Sequence, residues 1–176
     1  MAFVRVKRIS GGEYAYLVEN SWTEKGARQK VGKYLGKVHK PEKVKSEGLG
    51  AFLGIPDVGK HVRSSDFKRV AADLIRLELH NHDVKSDEIT ADFEGFSVKN
   101  RSGKNVVVAM NNGFLCSHTM KSLAGYDADK DYSGYLLADL ITAAGIVPEQ
   151  DVFIELYGKF RAKHEAAAAR KFEFYY

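Results

Sequence analysis

A single cysteine, Cys116, stands in the 176 residues, so no intramolecular disulfide can form and the fold must rest on a buried core. Only three prolines interrupt the chain, at positions 41, 56 and 148. No apolar run approaches the roughly 20 residues that a membrane helix needs. Arg5, Lys7 and Arg8 break the apolar stretch that a secretory signal requires, which makes the cytoplasm the expected location and excludes the membrane as an expected partner.

The familiar catalytic and ligand patterns are also missing. Gly54-Ile55-Pro56-Asp57-Val58-Gly59-Lys60-His61 falls short of a phosphate-binding loop, because His61 stands where that loop needs a magnesium-holding Ser or Thr and no buried strand precedes it. The stretch from Gly48 to Lys60 therefore reads as a glycine-rich loop. His80-Asn81-His82 is contiguous, unlike the dispersed histidine–asparagine–histidine signature of nucleases. His80, His82, Cys116 and His118 lack the three- or four-residue spacing that puts two zinc ligands on one helical face. A helix-end histidine beside the helix dipole is the simpler account. On a helix, Cys116 and His118 point about 200° apart, which favours a buried thiol over a nucleophile.

Asp127, Asp129 and Asp131 alternate like calcium ligands, but the loop's sixth and twelfth positions hold Tyr132 and Ala138 instead of Gly and a bidentate carboxylate. An acidic loop capping the next helix through Asp131 or Ser133 explains them better. No catalytic residue, metal or cofactor is assigned on these grounds, and a non-enzymatic protein is the expectation.

What the chain does have is an ordinary core-forming composition, 44% hydrophobic and 28% charged, with a very uneven distribution of charge. Residues 1–45 carry 11 Lys and Arg against 4 Asp and Glu, whereas the remainder carries 16 against 19. A basic head on a faintly acidic body suits a polyanionic partner. A solvated lysine-rich surface is the alternative.

The head has strand periodicity. Phe3 to Arg8 alternates apolar and cationic residues, Ser10-Gly11-Gly12 supplies a turn, and Tyr14 to Val18 alternates again. A third strand is expected over Arg28 to Val38. Alternation puts Phe3, Arg5 and Lys7 on one face and Val4 and Val6 on the other, and predicts that Arg28, Lys30 and Tyr34 share a face. Such a sheet offers cations to phosphates and rings to unpaired bases. The candidate contacts are Arg5, Lys7, Arg8, Arg28, Lys30, Lys33 and Lys37, with Tyr14, Tyr16, Trp22 and Tyr34 available for stacking.

The run FVRVKRISGGEYAYLVEN, followed after a loop by ARQKVGKYLGKV, resembles the short basic leader of insertion-sequence transposases, in which an arginine and a Tyr-Leu-Gly triplet mark the closing strand. Arg28 and Tyr34-Leu35-Gly36 occupy those places. The resemblance implies contact with DNA. It covers about a fifth of the chain, and no transposase catalytic core follows. The segments NNGFLCSHTMKSL and GYLLADLITAAGI resemble uncharacterised, chiefly archaeal, proteins.

Beyond a basic linker at 37–45, the body reads as helices and one hairpin. Ser64 and Ser65 can cap a helix beginning at Asp66, with Phe67, Val70, Ala71, Leu74 and Leu77 inward and Lys68, Arg69, Asp73, Arg76 and Glu78 facing water. A hairpin is expected near 93–111, its second strand Val106–Met110 buried on both faces. Asn111 or Asn112 can open a helix over 113–123. A further helix over 134–144 has Tyr135, Leu136, Leu140 and Ile141 inward and stops at Gly145, and a last one after Pro148 carries Val152, Phe153, Leu156, Tyr157 and Phe160.

The expected fold is thus α+β: a small N-terminal three-stranded antiparallel sheet with its linker at 1–45, and a mainly helical body at 46–176 containing a β-hairpin. The expected function is non-enzymatic nucleic-acid binding through the basic, tyrosine-bearing sheet, with DNA and RNA equally open. Two alternatives stand beside it. One is a protein-assembly adaptor working through the acidic body and the aromatic Phe172, Phe174, Tyr175 and Tyr176, by docking a partner or a second copy. The other is a metal-dependent nuclease or transposase-derived enzyme using Asp127, Asp129, Asp131 or Asp139, which is weakened because these carboxylates cluster in one loop and its adjacent helix.

Overall fold

A computed structural model describes residues 2–24, 26–128 and 134–173, apart from the side chains of residues 23, 27 and 163–173. The architecture is α+β. Three long antiparallel strands open it: β1 (Ala2–Ile9), β2 (Gly12–Thr23) and β3 (Gly26–His39). Ser10 and Gly11 both have positive φ, 47° and 77°, the backbone that a two-residue hairpin turn matched to strand twist requires. The turn fixes Ile9 opposite Gly12 and Phe3 opposite Val18 with no slip between.

The N-terminal strands do not end at themselves. Strand β3 pairs in parallel with β6 (Val106–Met110), and β6 pairs antiparallel with β7 (Gly113–Leu115), giving the order β1-β2-β3-β6-β7. Gly36, at φ 144°, lies where the two halves meet. A Cβ there would come 2.4 Å from the Asn105 carbonyl oxygen, so the glycine of Tyr34-Leu35-Gly36 is what allows this approach. The edge strands β1 and β7 curve round to line the same open clefts. One holds Val6 and Arg8 opposite Asn112 and Phe114, and the next holds Phe3 and Val4 opposite Phe114 and His118.

Strand β6 is the wall between two cores. Val107 and Ala109 face the hollow of the sheet, with Ala15, Leu35, Val38 and Cys116. Val106, Val108 and Met110 face the main core built on the helices α1 (Leu49–Leu53), α2 (Val58–Ser64), α3 (Phe67–Asn81), α4 (Ser117–Ala124), α5 (Tyr135–Ala143) and α6 (Gln150–Glu173). This double burial is the one expected of an unbroken Val-Val-Val run.

Several local expectations are overturned. The hairpin is made by β4 (Ile89–Asp92) and β5 (Ser97–Asn100), so Phe93 and Phe96 sit in its turn, where Asp92 accepts bonds from the Glu94 and Gly95 amides. Val106–Met110 belongs instead to the large sheet. Residues 113–115, expected in a helix, form β7, because Asn111 and Asn112 both take positive φ (46° and 64°) and make a two-residue turn. Cys116 then caps α4, its amide donating to Thr119 Oγ1.

The Gly48–Lys60 stretch, expected as a loop, contains α1 and the start of α2. Asp57 caps α2 and Asp66 caps α3, while Ser64 and Ser65 close α2. Asp73 and Glu78, expected in water, are 1% and 2% exposed. Asp73 accepts from Arg69 and Arg76 and contacts His61. Glu78 accepts from the Asn111 side chain and the Val147 amide. On α5, Leu137 and Ile141 are buried while Tyr135 and Leu136 are exposed, the reverse of the expectation for the first turn.

Candidate nucleic-acid interface

Strand pairing places each candidate residue, because side chains of directly opposed residues in an antiparallel pair leave on the same face. Across β1, β2 and β3 the outward face reads in rows. Lys7, Tyr14 and Lys37 form one row, Arg5, Tyr16 and Tyr34 the next, and Phe3, Val18 and Val31 the third. Lys7 Nζ lies 5.4 Å from the Tyr16 ring centroid, within the range of a cation–π contact. Arg5 donates to Gln29.

The three tyrosines gather beyond the turn. Tyr34 is 6.4 Å from Tyr14 and 5.4 Å from Tyr16 between ring centroids, tilted by 43° and 54°. With Ile9 and Ser10 they line a shallow surface pocket. Gly12 leaves room for the Tyr14 ring, which a Cβ would meet at 2.9 Å. Burial first, and then the neighbouring Tyr14 and Tyr16 phenols, push the Tyr34 hydroxyl above its ordinary value. The phenol, neutral at physiological pH even at its ordinary value, is held further still from ionising.

The structure divides the remaining candidates. Two register shifts interrupt β2–β3 pairing between Ala15 and Val18, and β3 carries the extra residues. Each extra residue reverses the alternation in that strand. Lys30 opposite Glu19 and Arg28 opposite Ser21 consequently lie on the face away from Tyr34, which corrects the expectation that the three share a face. Arg8 likewise belongs to the face of Val4 and Val6. It pairs with Glu13 at 3.9 Å beside the Lys40–Glu13 bridge at 2.6 Å, and Lys40 holds the Glu13 carboxyl below its usual range. Lys33 is exposed within the bulged stretch.

Trp22 is removed from the tyrosines altogether. Pairing with β1 ends at Ala2 opposite Glu19, so 20–23 and 26–29 continue as a two-stranded arm. Trp22, near its tip, is 86% exposed. Sequence reasoning did not single out Ile9, Ser10 and Gln29 as part of this surface. The alternation that placed Arg5 and Lys7 also placed Ile9 outward, whereas Gln29 follows only from the bulged register.

Elsewhere the suspected sites resolve into structural contacts. His80 pairs with Glu47 at 2.8 Å, and His82 Nδ1 donates to the Glu78 carbonyl. Burial lowers the pKa of His118. Asp129, Asp131, Ser133 and the aromatic 174–176 lie outside the described residues, as does the side chain of Phe172. Among the described residues no three His, Cys, Asp or Glu converge as a metal site, and no helix is long and apolar enough to cross a membrane. Comparison of the chain with family models, characterised proteins and solved structures yields no match.

Proposed function

We propose that this protein binds nucleic acid, without catalysis, through the outward face of β1, β2 and β3. The observation that carries the reading is the row pattern itself: Arg5, Lys7 and Lys37 stand among Tyr14, Tyr16 and Tyr34 on a face that neither hydrophobic core covers. Cations set among rings serve phosphate and base together, whereas a merely solvated face has no use for three clustered phenols. The resemblance to transposase leaders leans the same way. Arg28, on the arm, and Lys30, at its base opposite Glu19, add exposed cations that phosphates can reach from the other side.

Binding to duplex DNA, single-stranded DNA and structured RNA across a salt series tests this. The expected result is a steep loss of affinity with salt, its slope reduced in an Arg5→Glu, Lys7→Glu variant that remains folded. Unaltered affinity in that variant would remove the sheet from the account.

A protein-assembly role has its own support in the body, where Tyr135, Leu136, Val147 and Ile154 are exposed. An adaptor joining a nucleic acid to a protein would use both surfaces.

A further inference from the structure

We infer that the pocket formed by Ile9, Ser10, Tyr14, Tyr16 and Tyr34 receives an unpaired nucleobase, making single-stranded nucleic acid the ligand class of this face. The inference rests on the nucleic-acid reading above and specifies it. Three features support it.

The rings are tilted against one another by 43° and 54° rather than stacked face to face. They enclose a concavity and leave ring surface available to a planar guest. A base in a duplex has both faces covered by its neighbours, so only a base outside a stack can use this surface.

The polar atoms around the pocket do not discriminate. Tyrosine hydroxyls and the Ser10 hydroxyl each donate and accept, so the edge of any base finds a partner. Ser10 lines the pocket from the β1–β2 turn, where its φ is 47°, and Gly12 supplies the space that seats the Tyr14 ring.

Cations flank the pocket along both rows. Lys7 and Lys37 stand on either side of Tyr14, and Arg5 stands beside Tyr16. A base in the pocket would therefore have its phosphates over positive charge. Phosphates carry affinity and rings carry the preference for unpaired bases.

The experiment compares the full-length protein's affinity for three probes: a short oligothymidylate, an abasic oligomer of the same length, and a duplex of equal charge. The expected result is that oligothymidylate binds about 5- to 100-fold more tightly than the abasic oligomer. Tyr34→Ala and Tyr16→Ala should remove most of that difference without changing abasic binding, and Tyr34→Phe should retain it. Equal, salt-sensitive affinity for oligothymidylate and the abasic oligomer would overturn the base pocket while leaving phosphate binding intact. Preferential binding of the duplex would also overturn it. Binding of none of the probes would remove the underlying nucleic-acid reading as well. The abasic comparison needs no variant, so equal affinity there overturns the pocket even if a tyrosine substitution impairs folding.

Discussion

The two faces of β1, β2 and β3 are made by alternate residues of the same strands, yet one is packed against the body and the other, apart from the buried Val18, is largely open. Inward, Ala15 and Leu35 are almost fully buried and meet Val107 of β6. Outward, Arg5 is exposed and Tyr34 keeps 49% of its surface. The difference separates two demands on one segment. The inward set fixes the sheet to the body, and the outward set, relieved of packing, carries the proposed chemistry. Substitutions on the two faces should therefore have opposite signatures.

The largest stability effect belongs to the inward set. Leu35→Ala should cost about 2–5 kcal/mol by leaving a cavity against Val107 and Cys116, measured by denaturant unfolding. Gly36→Ala should also destabilise strongly, by about 1–3 kcal/mol from its backbone conformation alone. The collision with Asn105 adds to that, and the β3–β6 pairing should loosen with it, as read by hydrogen exchange. If either variant were as stable as the parent, the continuous five-stranded sheet would be in doubt.

The outward set should show the reverse. Arg5→Glu with Lys7→Glu should reduce affinity for single-stranded DNA at least about tenfold and flatten its salt dependence. Unfolding free energy should move by only about 0.5 kcal/mol, since surface substitutions seldom move it further. A comparable loss of stability would show that this face contributes to the fold after all.

How legible this was depended on whether local pattern or distant pairing decided each point. Alternation placed Arg5, Lys7, Val4 and Val6 correctly, because the two-residue turn keeps β1 and β2 in uninterrupted register. It failed for Arg28 and Lys30, because the β3 bulge between Val31 and Tyr34 reverses the faces and no local signal announces it. Val106–Met110 was legible as a buried strand but not in its partners. Its parallel pairing joins segments about 70 residues apart in sequence, and only the tertiary fold specifies that. The Asn111-Asn112 turn was readable in principle, since Asn-Asn tolerates positive φ; helix capping was the competing use of the same residues. Asp73 and Glu78 looked solvated because helical periodicity does not reveal polar partners from other elements, His61 for Asp73 and Asn111 and Val147 for Glu78, nor that Arg69 and Arg76 of the same helix fold over Asp73.

Acid should separate the packed regions from the bare face more gently. Burial, and then Lys37, lower the pKa of His39, and burial lowers that of His118, both from 6.5. Below about 6.5 the unfolded chain binds protons that the native state resists, so the unfolded state holds more of them. Stability should accordingly fall as pH drops through this range, and be fully regained above it. Replacing His39 and His118 with Gln should blunt the slope in denaturant titrations. A slope unchanged by these replacements would assign the acid sensitivity to other groups.

The smallest stability change is expected at the arm. Trp22→Ala should shift unfolding by no more than about 0.5 kcal/mol, because the indole is already almost wholly in water. The same exposure should give the free protein a solvent-exposed tryptophan emission. A strongly blue-shifted emission would mean that the indole is covered.

The most direct test of the outward face is an amide and side-chain NMR titration with a short single-stranded oligonucleotide. The account predicts perturbations centred on Arg5, Lys7, Tyr14, Tyr16, Tyr34 and Lys37, with Leu35, Val107 and the α3 core little changed. Perturbations confined to the helical body, or none at all under low salt, would contradict it.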